Sequence, residues 1–191
     1  ATMEANIGKI DLYNLKLTKE PMALALCGHI DVATNYKDYY MVRGLLSDLG
    51  IYYEDNRYHP EAFELDLLTR KDTTHVAMNS GDFNLSLDGK GSYEQLLSQG
   101  NKFVDELFAQ LKNRKIDQAV LRAKFPSMRM KLNAGRNNLF SRTLGWYGYT
   151  IKNAEIDLAS SPKVGMGGHI TIDSLVAGGF LIDTIRSRVL T

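Results

Sequence analysis

The chain has little cysteine and no long hydrophobic run. Cys27 is the only cysteine among 191 residues, which excludes an internal disulfide and leaves no second thiol for a zinc site. No segment approaches the roughly 20 apolar residues of a transmembrane helix, and no basic stretch followed by an apolar one opens the chain. We expect either a soluble protein or a piece from which targeting and anchoring segments have been cut away.

Motifs of catalysis and metal binding are also missing. The histidines never stand at the i, i+4 spacing of a helical metal site, no Gly-x-Ser-x-Gly elbow is present, and 165–168 lacks the lysine of a phosphate loop. Glu64 and Asp66 are spaced to share one strand face, as in a paired acid and base, but any solvated face gives the same spacing. We expect no metal, no cofactor and no catalytic residue, with His29 and His169 pointing outward from their strands.

The net charge of +1 provides no global field that would attract nucleic acid or hold the chain on an anionic membrane. The charge is unevenly distributed, however, since residues through Ser92 carry 9 basic and 14 acidic side chains and the rest carry 14 and 8. Aromatic residues for base stacking are not interleaved with the basic ones, so we do not predict a nucleic-acid partner. A solvated surface, anionic headgroups and an acidic partner remain as interpretations. We expect the cations of the basic cluster to face almost no acid except Asp117. The cluster comprises Lys112, Arg114, Lys115, Arg122, Lys124, Arg129, Lys131, Arg136 and Arg142.

What the chain does have is apolar residues at every second position. In the stretch 81–89, Phe83, Leu85 and Leu87 alternate with polar residues, which predicts a half-buried antiparallel strand. A glycine followed by the same alternation recurs at 8–12, 28–32, 44–46 and 168–172. Turn signals every dozen or so residues favour a mainly β fold: a twisted, curled antiparallel sheet with an apolar groove and an inserted pair of amphipathic helices.

The apolar period changes to that of a helix after Ser92. Ser92 with Gln95 predicts a capping box, and Asp117 is placed to cap a second, shorter helix that Pro126 would end. Residues 1–191 are thus predicted to form a single β-rich fragment of a longer repeat protein, with a helical insertion at about 92–126. Residues 138–146 keep helical spacing as well. We expect the first helix to pack against an apolar face of the sheet through Leu97, Val104, Leu107 and Phe108.

Inward positions of the alternating strands are predicted to line the groove. They should form a broad apolar floor, of which a single helix covers only part. The predicted lining residues are Leu24, Leu26, Phe63, Leu65, Leu67, Phe83, Leu85, Leu87, Met130 and Leu132.

Several segments together resemble one known family. These are Asp72-Thr73-Thr74, the stretch from Met78 to Phe83, the run from Leu87 to Leu97, and Ile182-Asp183-Thr184-Ile185-Arg186. With the glycine-led strands, they look like the TamB family of translocation and assembly module proteins in the AsmA-like superfamily, in its Bacteroidetes form. The likeness covers nearly the whole chain as a set of strand patterns, without an active-site signature.

The resemblance implies a place in the cell envelope. A TamB-like protein is anchored in the inner membrane and spans the periplasm as a curled β-sheet with an apolar groove, acting in outer-membrane biogenesis. By this resemblance we expect a non-enzymatic segment that holds or conducts phospholipid acyl chains. The alternative is a scaffolding segment that assists outer-membrane protein translocation and assembly, with an assembly protein of the BamA or TamA type as partner.

Overall fold

A computed structural model describes residues 1–53 and 55–190, and of residue 146 the backbone alone. In this part of the chain, the strands are β1 (Thr2–Asp11), β2 (Met22–Thr34), β3 (Tyr40–Tyr53), β4 (Asn56–Tyr58), β5 (Phe63–Thr69), β6 (Thr73–Ser80), β7 (Phe83–Lys90), β8 (Met128–Ala134), β9 (Tyr149–Thr150), β10 (Asn153–Ser161), β11 (Gly165–Ala177) and β12 (Phe180–Leu190). The helices are α1 (Tyr93–Lys112), α2 (Gln118–Ala123) and α3 (Leu139–Trp146). The chain is mainly β, as its alternating pattern predicts.

The strands described form one twisted, unclosed antiparallel sheet. The order is β1-β2-β3-β5-β6-β7-β8-β10-β11-β12, with β4 paired to β3 and β9 paired to β11. Each long strand therefore lies beside the one that precedes it in the chain, as expected for a meander in which hairpin follows hairpin. The sheet begins at β1 and ends at β12, so it has two edges and does not close into a barrel.

Two irregularities bend the first strands. The register of β1 against β2 shifts between Ile7 and Ile10, because β1 has an extra residue near Gly8, where its apolar alternation changes phase. The register of β2 against β3 shifts between Ala25 and Cys27, and the facing strand there contains Asp48 with a φ of 49°. An extra residue on one strand increases the local twist, so this side of the sheet departs from a flat plane.

The helices begin where the sequence predicts. Ser92 and Gln95 form a complete capping box at the start of α1, the Asp117 carboxylate accepts hydrogen bonds from the first turn of α2, and Asn138 caps α3. The pair α1 and α2 connects β7 to β8 at one end of the strands, whereas α3 connects β8 to β9 at the other end. β7 and β8 nevertheless pair directly with each other, so α1 and α2 do not interrupt the hydrogen-bonded sheet.

The fully buried core is small. One cluster joins Phe83, Ala134 and Ala154 on neighbouring strands β7, β8 and β10. A compact globular chain of this mass exposes about 9,100 Å², but this chain exposes 12698 Å². The excess of about 3,600 Å² is that of an open sheet whose faces are largely uncovered.

Candidate functional site

One face of the sheet carries apolar side chains in rows that cross nine or all ten of the long strands. Strand register places residues directly opposite one another, so a row can be followed from β1 to β12. The central row comprises Met3, Ile30, Gly44, Leu65, Met78, Leu85, Leu132, Ile156, Ile170 and Ser187. Its only polar side chain is at the last strand. Ten strands at about 4.8 Å spacing make this row roughly 40 Å long.

Parallel rows flank the central row, and we call the three together the apolar face. The row on one side comprises Ala5, Gly28, Leu46, Phe63, Ser80, Phe83, Ala134, Ala154, Ile172 and Ile185. The row on the other side comprises Val32, Val42, Leu67, Val76, Leu87, Met130, Leu158, Gly168 and Val189. No charged side chain occurs in any of the three rows.

The structure brings the predicted groove residues onto this one face. The eight on β5, β7 and β8 lie directly in the three rows. Leu24 and Leu26 lie on the same face of β2, opposite Ile10 and Ile7 of β1, on either side of the shift in the β1–β2 register. Phe83 is buried, but the other nine are only half-buried, so most of this floor keeps contact with solvent. Whether they contact lipid stays a prediction.

Helix α3 covers the apolar face at one end of the strands, near the turn between β6 and β7. Its Phe140 ring lies 4.2 Å from the ring of Phe83 and 6.5 Å from that of Phe63. The helix is held there because Asp82 in the β6–β7 turn accepts hydrogen bonds from the backbone N–H of Asn137 at 2.9 Å and from the side chain of Asn138 at 2.7 Å. An aromatic cluster therefore covers this end of the face, although Phe140 itself is 39% exposed.

The first turns of α1 cover the apolar face at the other end of the strands, through fewer contacts. The Leu96 side chain occupies the space that a Cβ at Gly89 would need, at 2.3 Å from that position, so the glycine allows the leucine to approach the sheet. The Tyr93 ring packs edge-on against Tyr40 with centroids 5.9 Å apart, and its backbone N–H donates to the Thr69 hydroxyl at 3.0 Å. Between the two ends, the central row of the apolar face is left open.

The expected packing of α1 on the sheet is wrong for three of its four residues. Leu97, Val104 and Phe108 are exposed, and Leu107 is half-buried. The covered side of the helix comprises Leu96, Gly100, Phe103, Leu107 and Gln110.

The physical reason is that α1 packs against α2 and the residues that flank it, and not along the sheet. The Phe103 ring meets that of Phe125 at 5.0 Å, and the Gln110 side-chain oxygen accepts the backbone N–H of Asp117 at 2.6 Å. The 96, 100, 103, 107, 110 spacing is a valid helical stripe in its own right. The sequence therefore contains the stripe that is covered, but a second apolar stripe lies beside it, and the pattern alone does not show which of the two is buried.

The opposite face is polar, and several of its charges are paired across strands. Glu64 and Asp66 do share this face, and Asp66 is 3.3 Å from the Arg43 guanidinium on β3. On β2, the hydroxyl of Thr2 donates to Asp31 at 2.6 Å; this bond, followed by the one from His29, lowers the pKa of Asp31 below its ordinary value. Pairs of this kind are typical of a solvated sheet surface.

His29 and His169 lie on this face, as predicted from their outward positions on the strands. His29 lies 3.1 Å from Asp31 and 3.5 Å from Glu4, and His169 lies 3.6 Å from Glu155 on the neighbouring strand. His75 lies 2.7 Å from Asp88. Among residues 1–53 and 55–190, no three His, Cys, Asp or Glu side chains are grouped as a metal site would require.

Three cations of the predicted basic cluster pair with acidic residues that are distant in the sequence. Arg129 and Lys131 lie 3.3 and 3.8 Å from Asp157 on β10. Lys124 pairs with Glu106 of α1, and this hydrogen bond, ahead of one from Gln110, lowers the pKa of Glu106. The expectation that these cations face almost no acid except Asp117 is therefore wrong. The pairing of β8 with β10 and of α1 with α2 provides the acids.

Comparison with known proteins adds nothing to this geometry: no family model, curated protein or solved structure matches the chain. None of the helices described is long and apolar enough to cross a membrane.

Proposed function

We propose that the apolar face holds phospholipid acyl chains, in a non-enzymatic segment of a TamB-like protein that acts in the periplasm in outer-membrane biogenesis. The observation that supports this proposal is the row of apolar side chains that crosses ten strands and stays half-exposed. An open apolar surface of this extent in a protein usually marks a binding surface.

An acyl chain suits this surface better than a compact polar ligand. The three rows offer aliphatic and aromatic side chains, with hydroxyls only at Ser80 and Ser187. Each methylene that leaves water contributes about 0.8 kcal/mol and needs no fixed polar partner. A continuous floor also lets a chain slide from one strand to the next, because neighbouring positions along a row are chemically alike.

A scaffolding role in outer-membrane protein assembly is the second candidate, and the edges of the sheet favour it. β1 and β12 each pair with one long strand and leave the other side of their backbone open among the described residues. An open edge can accept a strand of another protein through main-chain hydrogen bonds. An assembly protein of the BamA or TamA type, or its client, would then bind at an edge and leave the apolar face unused.

Lipid content separates these two functions. The chain is purified without detergent and its bound lipid is extracted and quantified by mass spectrometry. Leu65→Gln and Glu64→Gln are a matched pair, since they place the same side chain at adjacent positions on opposite faces of β5. We expect several-fold less phospholipid with Leu65→Gln and an unchanged amount with Glu64→Gln. Absence of lipid from the unaltered chain, or equal loss in both variants, would reject the acyl-chain function.

A further inference from the structure

Helix α1 has a second apolar stripe that nothing in the described chain covers. Leu97, Val104, Phe108 and Leu111 are spaced by seven, four and three residues, which places them along one side of the helix. They are 62%, 43%, 66% and 53% exposed. We call these four residues the α1 stripe. We call α1 and α2 together the helical hairpin. The α1 stripe lies about a quarter turn from the side of α1 that contacts α2, so the packing of α2 on α1 leaves the stripe in solvent.

Cations gather at the carboxyl end of the α1 stripe. Lys112 is in the last turn of α1, and Arg114 and Lys115 follow it directly. Residues 108–125 contain five basic side chains and one acidic side chain, Asp117, whose carboxylate caps α2. No ion pair within the described ranges involves Lys112, Arg114 or Lys115. Their charge is available to an anionic partner.

We propose that the α1 stripe and these three cations dock the helical hairpin on the surface of an anionic phospholipid bilayer. In this arrangement α1 lies in the plane of the interface, Phe108 and Leu111 sink below the headgroups, and Lys112, Arg114 and Lys115 contact phosphates. The sheet would extend away from the bilayer, because α1 and α2 are inserted in the chain between the ends of β7 and β8.

A second copy of the chain fits this surface less well. The four side chains expose on the order of 400 Å² of apolar surface. Pairing two such stripes would bury about 800 Å² in total, below the roughly 1,200 Å² of a stable protein interface. A bilayer has no such threshold, since apolar insertion and attraction of each cation to anionic lipid act together.

Co-sedimentation with vesicles tests the docking. We compare vesicles of phosphatidylcholine alone with vesicles of phosphatidylcholine and phosphatidylglycerol. We expect binding to the anionic vesicles only. The pair Lys112→Gln and Lys115→Gln should weaken it roughly 25-fold, about fivefold for each cation. Phe108→Gln with Leu111→Gln should weaken it at least as much. Lys102→Gln is the matched control: it removes a cation from the opposite, exposed side of α1 and should leave binding within about twofold.

Three outcomes would overturn the docking. These are no binding to anionic vesicles, equal binding by Lys102→Gln and the Lys112, Lys115 variant, and a dimer in light scattering that Phe108→Gln dissociates while vesicles bind nothing. All substitutions are at exposed positions, and circular dichroism checks that the fold is kept. The proposal does not depend on acyl-chain binding by the apolar face, because lipid content in Leu65→Gln reports on the sheet alone.

Discussion

The two faces of the sheet are built from the same strands but differ in how many of their side chains have partners within the chain. On the polar face, Asp66 meets Arg43, His75 meets Asp88 and Asp157 meets Arg129, each across a strand boundary. On the apolar face, one residue away, helices lie only near the two ends of the strands, and the central row between them is open. On the polar face these charged groups already have partners, whereas the apolar side chains of the central row are still in contact with water.

The energies behind the two faces differ in the same sense. Exposed ion pairs such as Asp66 with Arg43 contribute about 0 to 1 kcal/mol each, because water and salt screen them. Burial of an apolar side chain contributes about 1.5 to 3 kcal/mol. The stability of this chain should therefore come mainly from the covered parts of the apolar face, and its binding capacity from the uncovered parts.

The largest expected difference in the free energy of unfolding is between two adjacent residues of β7 on opposite faces, at the place where α3 covers the apolar face. Phe83→Ala removes a ring that is 5% exposed and packed on Phe140, so we expect a loss of about 3–5 kcal/mol in the free energy of unfolding. Asn84→Ala, one position along β7, should change it by less than about 0.5 kcal/mol. Urea midpoints measure both. Equal shifts would mean that the faces do not divide the stability in this way.

A smaller effect should separate the covered side of α1 from its stripe. Leu107 is half-buried, so Leu107→Ala should cost about 1 kcal/mol, less than a fully buried leucine would. Phe108→Ala removes a ring that stands mostly in water and should change the free energy of unfolding by less than about 0.5 kcal/mol. A larger loss for Phe108 than for Leu107 would show that the stripe packs on the chain after all.

The smallest effect belongs to the polar face and depends on pH. The pKa of Asp31 is lowered first by the hydrogen bond from the Thr2 hydroxyl and then by His29. A carboxyl whose pKa is lower in the folded state stabilises the fold above its unfolded pKa of about 3.9. That contribution is lost as the pH falls through the lower, folded value. Thr2→Val should raise the pKa of Asp31, as followed by NMR titration. An unchanged titration midpoint would assign the shift elsewhere.

Local pattern was enough to predict the strands and caps. In a strand, the face of a side chain depends only on whether its position is odd or even, so Phe83, Leu85 and Leu87 could be assigned together. The caps at Ser92 and Asp117 were predictable for the same reason, because each involves residues within one helical turn. These features require no knowledge of what lies across the sheet.

Features that depend on distant partners could not be predicted. The apolar arc of α1 is wide enough for two stripes, and only the position of Phe125, which packs on Phe103, decides which stripe is covered. Likewise, the acid that pairs with Arg129 is Asp157, which β10 brings alongside β8. In both cases the decisive contact joins segments more than twenty residues apart, and a single sequence does not reveal such pairings.

Site-specific photo-crosslinking in cells tests the central claim most directly. A photo-reactive residue is placed singly at Leu65, Leu85, Glu64 and Asn84, which form two adjacent pairs on opposite faces of β5 and β7. If the apolar face holds acyl chains, phospholipid should be captured from Leu65 and Leu85 and not from Glu64 or Asn84. Equal capture from both faces, or none from Leu65 and Leu85, would contradict the account.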